Sequence, residues 1–339
     1  MKVVLLASRP APGAGPDDLD TLAQAAALGQ ALAALGHAPA RADFSLDLPA
    51  TARALAAAAP GAVVNLVESV DGNARLIHLA PALLEDLGLA YTGGDQAAVL
   101  LSNHKVLGKR LLAPHGIPTP AWTDRTALLR GAPLPGGPLI VKSVTEHAST
   151  GLDDDSVLTP AGPADLLAAL DRAAARHGGE WFAEAYAPGR EFNVALLDGP
   201  DGPQVLPVAE MLFTNFAPDR PRIVGYDAKW DETSDDYAGT VRSFEFPEAD
   251  RGLLDALADL SRRTWAAFGL SGYARVDFRA DGQGRPLVID VNANPCLSPD
   301  AGFAAALRQA GISYTAAVAR ILDAALARVP PPRPRSAGA

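Results

Sequence analysis

The chain contains one stretch whose pattern is typical of a β-hairpin, between residues 273 and 292. Residues 273–279 read Tyr-Ala-Arg-Val-Asp-Phe-Arg, the polar run at 280–285 reads Ala-Asp-Gly-Gln-Gly-Arg, and 286–291 read Pro-Leu-Val-Ile-Asp-Val. Two alternating runs separated by a Gly-containing turn predict two paired strands. Apolar residues fill one face of each predicted strand: Val276, Phe278, Leu287, Ile289 and Val291.

The polar residues of this hairpin occupy the other face of each strand. Because side chains alternate along a strand, Arg275 and Asp277 share a face, as do Asp290 and Asn292. If the strands pair, two carboxylates, an amide oxygen and a guanidinium converge. Such oxygens suit Mg²⁺, whose other ligands are usually water and substrate phosphates. The apolar opposite faces favour a cleft-facing surface over a solvated hairpin.

The length, net charge and cysteine count of the chain limit the class of protein to which it can belong. The 339 residues are enough for two or three domains, and the net charge of −10 argues against nucleic acid as the main partner. The apolar run after Lys2 is too short for a signal peptide, and no stretch approaches the length of a membrane span. Cys296 is the single cysteine, which excludes an internal disulfide. We therefore expect a cytoplasmic protein.

The first 90 residues alternate between strand and helix patterns. Predicted strands occupy 2–7, 38–43 and 62–67, and predicted helices occupy 18–35, 49–58 and 75–87. This alternation predicts an α/β domain with a parallel sheet, whose ligands sit at the carboxyl ends of strands. The loops 8–17 and 67–75 lie there. Glu68 is either a substrate residue facing an ammonium or part of a polar surface loop, and position alone favours neither.

The rest of the chain predicts a mixture of helices and antiparallel strands. Predicted helices occupy 96–115, 162–177, 247–268, 301–309 and from Ser313 to about Arg328; predicted strands occupy 138–142, 180–187, 191–197 and 204–211. Residues 212–242 look irregular, and a loop of that length is usually functional or disordered. Lys142 ends a strand before the small, polar run 143–151. Such a run can bind phosphate, although most lysines at strand ends are only solvated.

Taken in order, these motifs resemble the ATP-grasp superfamily and, within it, the D-alanine–D-alanine ligase family. The resemblance extends from the first strand to about residue 326 and is most specific at 91–151, 182–193 and 273–311. It implies a parallel-sheet pre-ATP-grasp domain, then a two-part ATP-grasp fold that holds ATP between two antiparallel sheets. The implied divisions are 1–98, 99–183, 184–328 and a disordered tail, 329–339.

The resemblance also implies roles for individual residues in binding ATP. The residues that match the family's nucleotide contacts are Lys105, Lys142, Ser149, Glu184, Ala185, Ala187, Glu191 and Lys229. Lys105 and Lys142 match lysines that neutralise phosphates, and Ser149 belongs to the loop that closes over them. Glu184 and the backbone of 185–187 match the hinge that receives adenine. Glu191 matches the acid that holds the ribose.

The implied chemistry is ligation through an acyl phosphate, with release of ADP. Asp277, Asp290 and Asn292 match the Mg²⁺ ligands, with Mn²⁺ as an alternative ion. Arg275 matches the arginine beside the reacting carboxyl. Lys229 matches a lysine near the transferred phosphate, so Arg275, Lys229 and Lys142 are the implied catalytic residues.

The substrate positions depart from the family pattern. The first loop has no acid before Asp17, Trp230 replaces a tyrosine, and Cys296 lies in a changed acceptor motif, where it is expected to pack. Asp300 would repel a carboxylate and accept a cationic or hydroxylated amine, unless it only caps the helix at 301–309. We infer that Glu68, Trp230, Arg275 and Asp300 contact the substrates, and that these are not two D-alanines.

Three alternatives remain open at this point. The protein is a genuine D-alanine–D-alanine ligase with divergent pockets, a nucleotide-binding regulator without activity, or an ATP-grasp kinase. The expected partners are small amino acids or amines and carboxylates, without nucleic acid or membrane. The family tendency suggests a homodimer.

Overall fold

The first sheet of the protein is parallel and lies at its N-terminus. The structure is a computed structural model that describes residues 1–9, 16–146, 149, 151–217 and 220–328. Three strands, in the order β2-β1-β3, and two helices form this unit: β1 (Lys2–Ser8), β2 (Ala38–Phe44), β3 (Ala62–Leu66), α1 (Pro16–Ala34) and α2 (Leu48–Ala58). The predicted α/β alternation is confirmed. Most of the loop at 8–17 and the tail at 329–339 lie outside the described residues.

Helices connect this sheet to the rest of the protein. They are α3 (Leu79–Asp86), α4 (Gln96–Asn103) and α5 (Lys105–Leu112), preceded and followed by 3₁₀ turns at Ala74–Leu76 and Ala113–His115. The single helix predicted over 96–115 was wrong. His104 leaves the helical region at φ −90°, ψ 92°, and its Nδ1 accepts a hydrogen bond from Leu107 N at 3.3 Å. The chain therefore breaks between α4 and α5, and Lys105 begins a new helix.

The second sheet has four antiparallel strands in the order β4-β7-β5-β6. Its elements are β4 (Trp122–Asp124), α6 (Arg125–Leu129), β5 (Leu139–Ser143), β6 (Val157–Leu158), α7 (Pro163–His177) and β7 (Trp181–Ala185). A 3₁₀ turn, Asp154–Ser156, precedes β6. β7 spans the predicted domain boundary between 183 and 184, and the domain division itself stays a prediction.

The third sheet has six antiparallel strands, in the order β11-β10-β8-β12-β13 with β9 beside β8. Its strands are β8 (Glu191–Leu197), β9 (Gln204–Val205), β10 (Ala209–Phe213), β11 (Thr240–Ser243), β12 (Tyr273–Ala280) and β13 (Pro286–Asn292). Its helices are α8 (Asp227–Trp230), α9 (Asp235–Gly239), α10 (Arg251–Phe268), α11 (Gly302–Gln309) and α12 (Tyr314–Ala327). The segment predicted to be irregular over 212–242 thus contains two short helices and most of β11.

The predicted hairpin forms between β12 and β13, with one change of register. Arg275 lies opposite Asn292 and Asp277 opposite Asp290, but a bulge after Asp277 places Phe278 opposite Val288. Val288 is therefore buried, whereas Ile289 lines the cleft described below. The prediction that Ile289 lies on the apolar face was wrong, because a bulge inserts one residue and reverses the alternation beyond it.

The two faces of the six-stranded sheet pack against different cores. One face contributes Ala195, Leu197 and Tyr273 to a core shared with α1, α11, α12 and the parallel sheet. The other face packs Val276 and Phe278 against α10. Arg275 and Asp277 alternate with Val276 and Phe278 along β12, so their side chains lie on the first face of the sheet. They are next to the core on that face but do not belong to it. This arrangement holds the polar face of the hairpin towards a cleft.

Two helix ends bear on the sequence predictions. Ser313 caps α12 as predicted, because its Oγ accepts a hydrogen bond from Ala316 N at 3.2 Å. The helix cap predicted for Asp300 was wrong: Ala301 is the N-cap of α11, and no side chain makes the capping bond. Among the described residues no single helix is long and apolar enough to cross a membrane; α11 and α12 meet those criteria only as a pair bent by 108°.

Candidate active site

A cleft of about 650 Å³ receives residues from both antiparallel sheets and from the hairpin. That volume is typical of a small-molecule site. All but one of the predicted site residues line it: Lys105, Lys142, Ser149, Glu184, Ala185, Ala187, Glu191, Lys229, Trp230, Arg275, Asp277, Asp290, Asn292 and Asp300. The exception is Glu68. Residues scattered over almost 200 positions are therefore brought together.

A buried ion triad lies at one end of the cleft. Glu184 on β7 is 1% exposed and forms ion pairs with Lys142 on β5, at 2.6 Å, and with Lys109 on α5. Burial favours the neutral acid, but the two lysines outweigh it and hold the pKa of Glu184 below its ordinary value. Lys109 Nζ also donates to Thr119 Oγ1 at 2.7 Å. The triad fixes the direction of Lys142 before any ligand arrives.

Lys105 lies between the triad and the hairpin. Its Nζ donates to the carbonyl of Glu146 at 3.0 Å and lies 3.9 Å from Asp290 Oδ2. Lys105 and Lys142 are both mostly buried, which strengthens their field in the cleft because little water screens them. The two charges can neutralise phosphate oxygens there.

The hinge after β7 is held by an arginine that the sequence patterns did not single out. Arg279 on β12 forms an ion pair with Glu191 at 2.8 Å and donates to the carbonyl of Ala187 from both Nε and Nη2. The amides of Ala185 and Tyr186 donate to Ala121 O and Pro138 O. These contacts use the amides of Ala185 and Tyr186 and the carbonyl of Ala187, but not the amide of Ala187.

The predicted metal ligands meet at Asp277. Its carboxylate accepts two hydrogen bonds from Arg275, at 2.7 and 2.8 Å, and one each from Asn193 and Asn292. Burial opposes the charge of Arg275, but Asp277 outweighs this effect and raises the arginine's pKa. Asp290 stands directly across the hairpin. A guanidinium and two carboxylates therefore form a compact group in the cleft wall, with one negative charge in excess.

The segment from 220 to 230 closes another side of the cleft. Ser149, in the left-handed region at φ 62°, donates its Oγ to Val224 O at 2.7 Å, so the loop after β5 is tied to this segment. Lys229 keeps solvent exposure, yet desolvation by the surrounding cleft and the charge of Arg275 lower its pKa. His147 and Ala148 lie outside the described residues.

At the far end of the cleft an acid from α1 lies where Glu68 was expected. Asp20 lines the cleft and accepts hydrogen bonds from Cys296 Sγ at 3.0 Å and Ser298 Oγ at 2.7 Å. Burial raises the pKa of the Cys296 thiol, which suits a packing residue rather than a nucleophile. Glu68 instead accepts from Gln24 Nε2 at 3.1 Å, behind this wall.

One arginine at this end stands apart from the others. Arg242 on β11 lines the cleft beside Asp300, and its Nε is buried with no hydrogen-bond partner among the described residues. Desolvation lowers its pKa, as do the charges of Arg275 and Arg308, while Asp300 opposes them. The structure thus combines a densely paired end, around Glu184 and Asp277, with a sparsely paired end around Arg242.

Comparisons with known proteins agree with this geometry. A family model described as the C-terminus of D-ala D-ala ligase matches residues 133–323. The D-alanine–D-alanine ligase of Moorella thermoacetica is 31% identical over 323 residues, covering 90% of this chain and 94% of that protein. This chain belongs to the D-alanine–D-alanine ligase family of ADP-forming ATP-grasp ligases. The family predicted from the sequence is confirmed.

Two further similar proteins extend the comparison. An uncharacterised protein of Sinorhizobium fredii is 33% identical over 274 residues, covering 78% of this chain and 74% of that protein. A D-alanine–D-alanine ligase from Bacillus anthracis, solved in complex with ATP, has a TM-score of 0.71 and 18% identity, with 96% of this chain and 98% of that chain covered. At that identity the likeness establishes the fold, which confirms the predicted α/β and antiparallel ATP-grasp architecture.

The sequence patterns assigned no role to five residues that the structure places in or beside the cleft. They are Asp20, Lys109, Asn193, Arg242 and Arg279. Lys109, one turn after Lys105, carried a visible signal. The others depend on partners far away in the chain: Asn193 reaches Asp277, and Arg279 reaches Glu191. No local pattern marks such contacts.

Proposed function

We propose that this chain is an ATP-dependent carboxylate–amine ligase that activates an amino-acid-type carboxylate as an acyl phosphate and joins it to an amine. The observation that carries the proposal is the convergence of Lys105, Lys142 and Arg275 on one cleft that also contains the paired carboxylates Asp277 and Asp290. Cations for phosphates and an arginine for the acyl oxygen are what this reaction requires.

The reaction has two steps that these residues can assist. A carboxylate oxygen attacks the γ-phosphorus of ATP, the bond to the β-phosphate oxygen breaks, and ADP leaves. The amine then attacks the acyl carbon and loses a proton, and phosphate leaves with the electrons of the acyl C–O bond. Lys105 and Lys142 would hold the ATP phosphates, Lys229 the transferred group, and Arg275 the developing charge on the acyl oxygen.

The donor set fits a Mg²⁺ or Mn²⁺ ion that arrives with the nucleotide. Asp277, Asp290 and Asn292 supply two carboxylates and an amide, and the described residues contain no group of three His, Cys, Asp or Glu placed to hold a metal. Mg²⁺ usually relies on one or two carboxylates and completes its shell with phosphates and water. When bound, the ion would neutralise charge on the β- and γ-phosphate oxygens.

The substrate end supports pockets that differ from those implied for the family. Trp230, Cys296 and Asp300 all line the cleft. Asp20 lines the cleft and Glu68 does not, which supports Asp20 over Glu68 as the acid that would receive a substrate ammonium. The competing candidate is a genuine D-alanine–D-alanine ligase, which the name of the Moorella thermoacetica relative favours.

The test is a screen of amino acids and amines in pairs for ADP release, with mass spectrometry of each product. We expect a phosphorus-free product from a pair other than two D-alanines. ADP release with millimolar D-alanine alone, yielding the dipeptide, would establish the competing candidate. A phosphorylated product would identify a kinase, and ATP binding without ADP release under any condition would identify a regulator. A cytoplasmic location and a homodimer remain predictions from the sequence.

A further inference from the structure

A guanidinium on β12 holds three separate parts of the cleft wall together. Arg279 is 5% exposed, and each of its N–H groups meets an acceptor. Nε and Nη2 donate to Ala187 O on the hinge, at 3.1 and 2.9 Å, and Nη2 also reaches Tyr186 Oη at 3.5 Å. Nη1 donates to Glu191 Oε2 at 2.8 Å and to Arg222 O at 2.7 Å. The hinge, the acid at the start of β8 and the segment that closes the cleft therefore share one partner.

Two aromatic rings pack against this guanidinium. The ring centroids of Tyr186 and Phe213 each lie 5.6 Å from Arg279 Cζ, which favours the cation there. Tyr186 also holds the backbone of Arg222, because its Oη accepts from Arg222 N at 2.8 Å and lies 3.4 Å from Arg222 O. The closing segment is thus fastened at one residue, through both its amide and its carbonyl.

The ion pair with Glu191 uses only half of the carboxylate. Arg275 binds both oxygens of Asp277, at 2.7 and 2.8 Å. Arg279 instead binds Oε2 of Glu191 alone, and no described residue donates to Oε1. Because Glu191 lines the cleft, the second oxygen can accept a hydrogen bond from a ligand.

Stability of the fold alone gives little reason for this arrangement. Burying a carboxylate with a guanidinium costs desolvation, and apolar residues of similar volume are often as stabilising or more so. A carboxylate that is fixed through one oxygen, however, presents the other in a fixed direction to a hydroxyl donor. Glu191 is the acid that the family resemblance assigns to the ribose, but nothing in that resemblance assigns a role to Arg279.

Building on the proposed function, we propose that Arg279 is the positioning residue of the nucleoside site. It presents the free oxygen of Glu191 to the ribose hydroxyls and, through Arg222 O, fastens the closing segment at the same point. Recognition of the ribose and closure of the cleft are then coupled, because both depend on one guanidinium. Arg279 acts through these neighbours and takes no part in the chemistry.

The main test measures the binding of ATP and of 2′,3′-dideoxy-ATP to the full chain, with Mg²⁺, by isothermal titration calorimetry. The wild type should bind the dideoxy nucleotide about tenfold or more weakly, because bonds from hydroxyls to a carboxylate are lost. In Arg279→Met an apolar chain lies beside the aromatic rings and Glu191 loses the bond that orients it. The ratio of the two Kd values should then fall to about twofold.

Two further variants separate positioning from general damage to the fold. Arg279→Lys keeps a cation but loses the fork, so its Kd ratio should lie between those of the wild type and Arg279→Met. Arg190→Met is the matched control. Arg190 also packs on an aromatic ring, that of Phe192, and pairs with Glu210, but it does not line the cleft. This variant should keep the wild-type ratio.

Limited digestion with trypsin measures closure without turnover. Trypsin cuts after Arg222, whose backbone must first leave Tyr186 and Arg279, and the neighbouring cut after Arg220 is blocked by Pro221. In the wild type, saturating ATP should slow this cut more than saturating dideoxy nucleotide. In Arg279→Met the cut should be faster, and the two nucleotides should protect equally. A merely structural crosslink would speed the cut but keep the difference between the nucleotides.

Three results would overturn the inference: equal binding of the two nucleotides by the wild type, equal protection by them in the wild type, or a wild-type Kd ratio in Arg279→Lys and Arg279→Met. If Arg279→Met does not fold, the ratio in Arg279→Lys carries that third test. Failure of the proposed function has a different signature. In that case no substrate pair releases ADP, while binding and protection still depend on the ribose hydroxyls and on Arg279.

Discussion

The two ends of the cleft differ in how their charges are paired before any ligand binds. At the nucleotide end Glu184 holds two lysines and Glu191 holds Arg279, all within hydrogen-bonding reach. At the substrate end Arg242 has an unsatisfied Nε, and Asp300 is exposed. The paired end carries the residues that match the family, and the unpaired end carries most of the departures. Under the proposed function, preorganised charge thus accompanies the nucleotide, and unsatisfied charge accompanies the amino-acid-type substrates.

Replacing Glu184, at the centre of the paired end, tests whether the charges there are preorganised. Glu184→Gln leaves Lys109 and Lys142 buried together without a counter-charge. Breaking a buried pair in this way destabilises a protein by about 3–5 kcal/mol. Chemical denaturation should show that loss, and Glu180→Gln, an exposed acid just before the same strand, should change the free energy of unfolding by less than about 0.5 kcal/mol. Equal, small effects in both variants would mean that the triad is not preorganised.

The next prediction concerns Asp290, the hairpin carboxylate that is proposed to hold the metal ion beside the ATP phosphates. Asp290→Ala removes a partly exposed side chain whose ionic contact is a 3.9 Å approach to Lys105, so the fold should persist. Turnover should fall by at least about 100-fold, comparable to the loss of one positioned transition-state contact. ADP release and the unfolding temperature are measured together, with Asp259→Ala on α10 as a charge-matched surface control. Normal turnover in Asp290→Ala would remove the metal-site assignment.

Features that depend on neighbouring residues could be predicted from the sequence, and features that depend on distant partners could not. Alternation over 273–279 and 286–291 predicted the hairpin and its polar face, because strand periodicity is a local property. The break at His104 was missed, since apolar residues continue on either side of it. The bulge after Asp277 was missed because register depends on the partner strand. Arg242 lay in a segment predicted to be irregular, and the charges around it include those of Arg275 and Asp300, which are distant in sequence.

A third prediction concerns the ion pairs of Arg220. They join the segment from 220 to 230 to the 3₁₀ turn that follows the loop after β5. Arg220 pairs with Asp154 at 2.7 Å, in the 3₁₀ turn after that loop, and with Asp236 on α9. Arg220→Ala should raise the KM for ATP about fivefold, the equivalent of about 1 kcal/mol for a partly exposed pair. It should also raise the ratio of ADP released to product formed, because a looser closure admits water to the acyl phosphate.

The control for this prediction is Arg251→Ala, which breaks an exposed pair with Glu248 away from the cleft. That variant should keep both the KM for ATP and the coupling ratio. If Arg220→Ala behaves in the same way, the two elements are not held together by Arg220, and closure depends on the bond from Ser149 to Val224 instead.

The smallest expected effect concerns the helix end that presents Lys105. His104 caps α5 through Nδ1, and burial lowers the pKa of its imidazole. The unfolded chain, with an ordinary pKa of about 6.5, then binds more protons than the folded chain as the pH falls. The stability that His104 contributes is full above about pH 6.5 and is lost below it, because a protonated Nδ1 cannot accept the bond from Leu107.

His104→Asn separates this titration from capping itself. Asparagine is a good N-cap without a proton to gain, so its free energy of unfolding should fall less than that of the wild type between pH 7.5 and pH 5.5, values set by the unperturbed imidazole pKa of about 6.5. His104→Ala should lose about 1 kcal/mol already at neutral pH. Parallel pH curves for the wild type and His104→Asn would show that the cap does not titrate between these pH values.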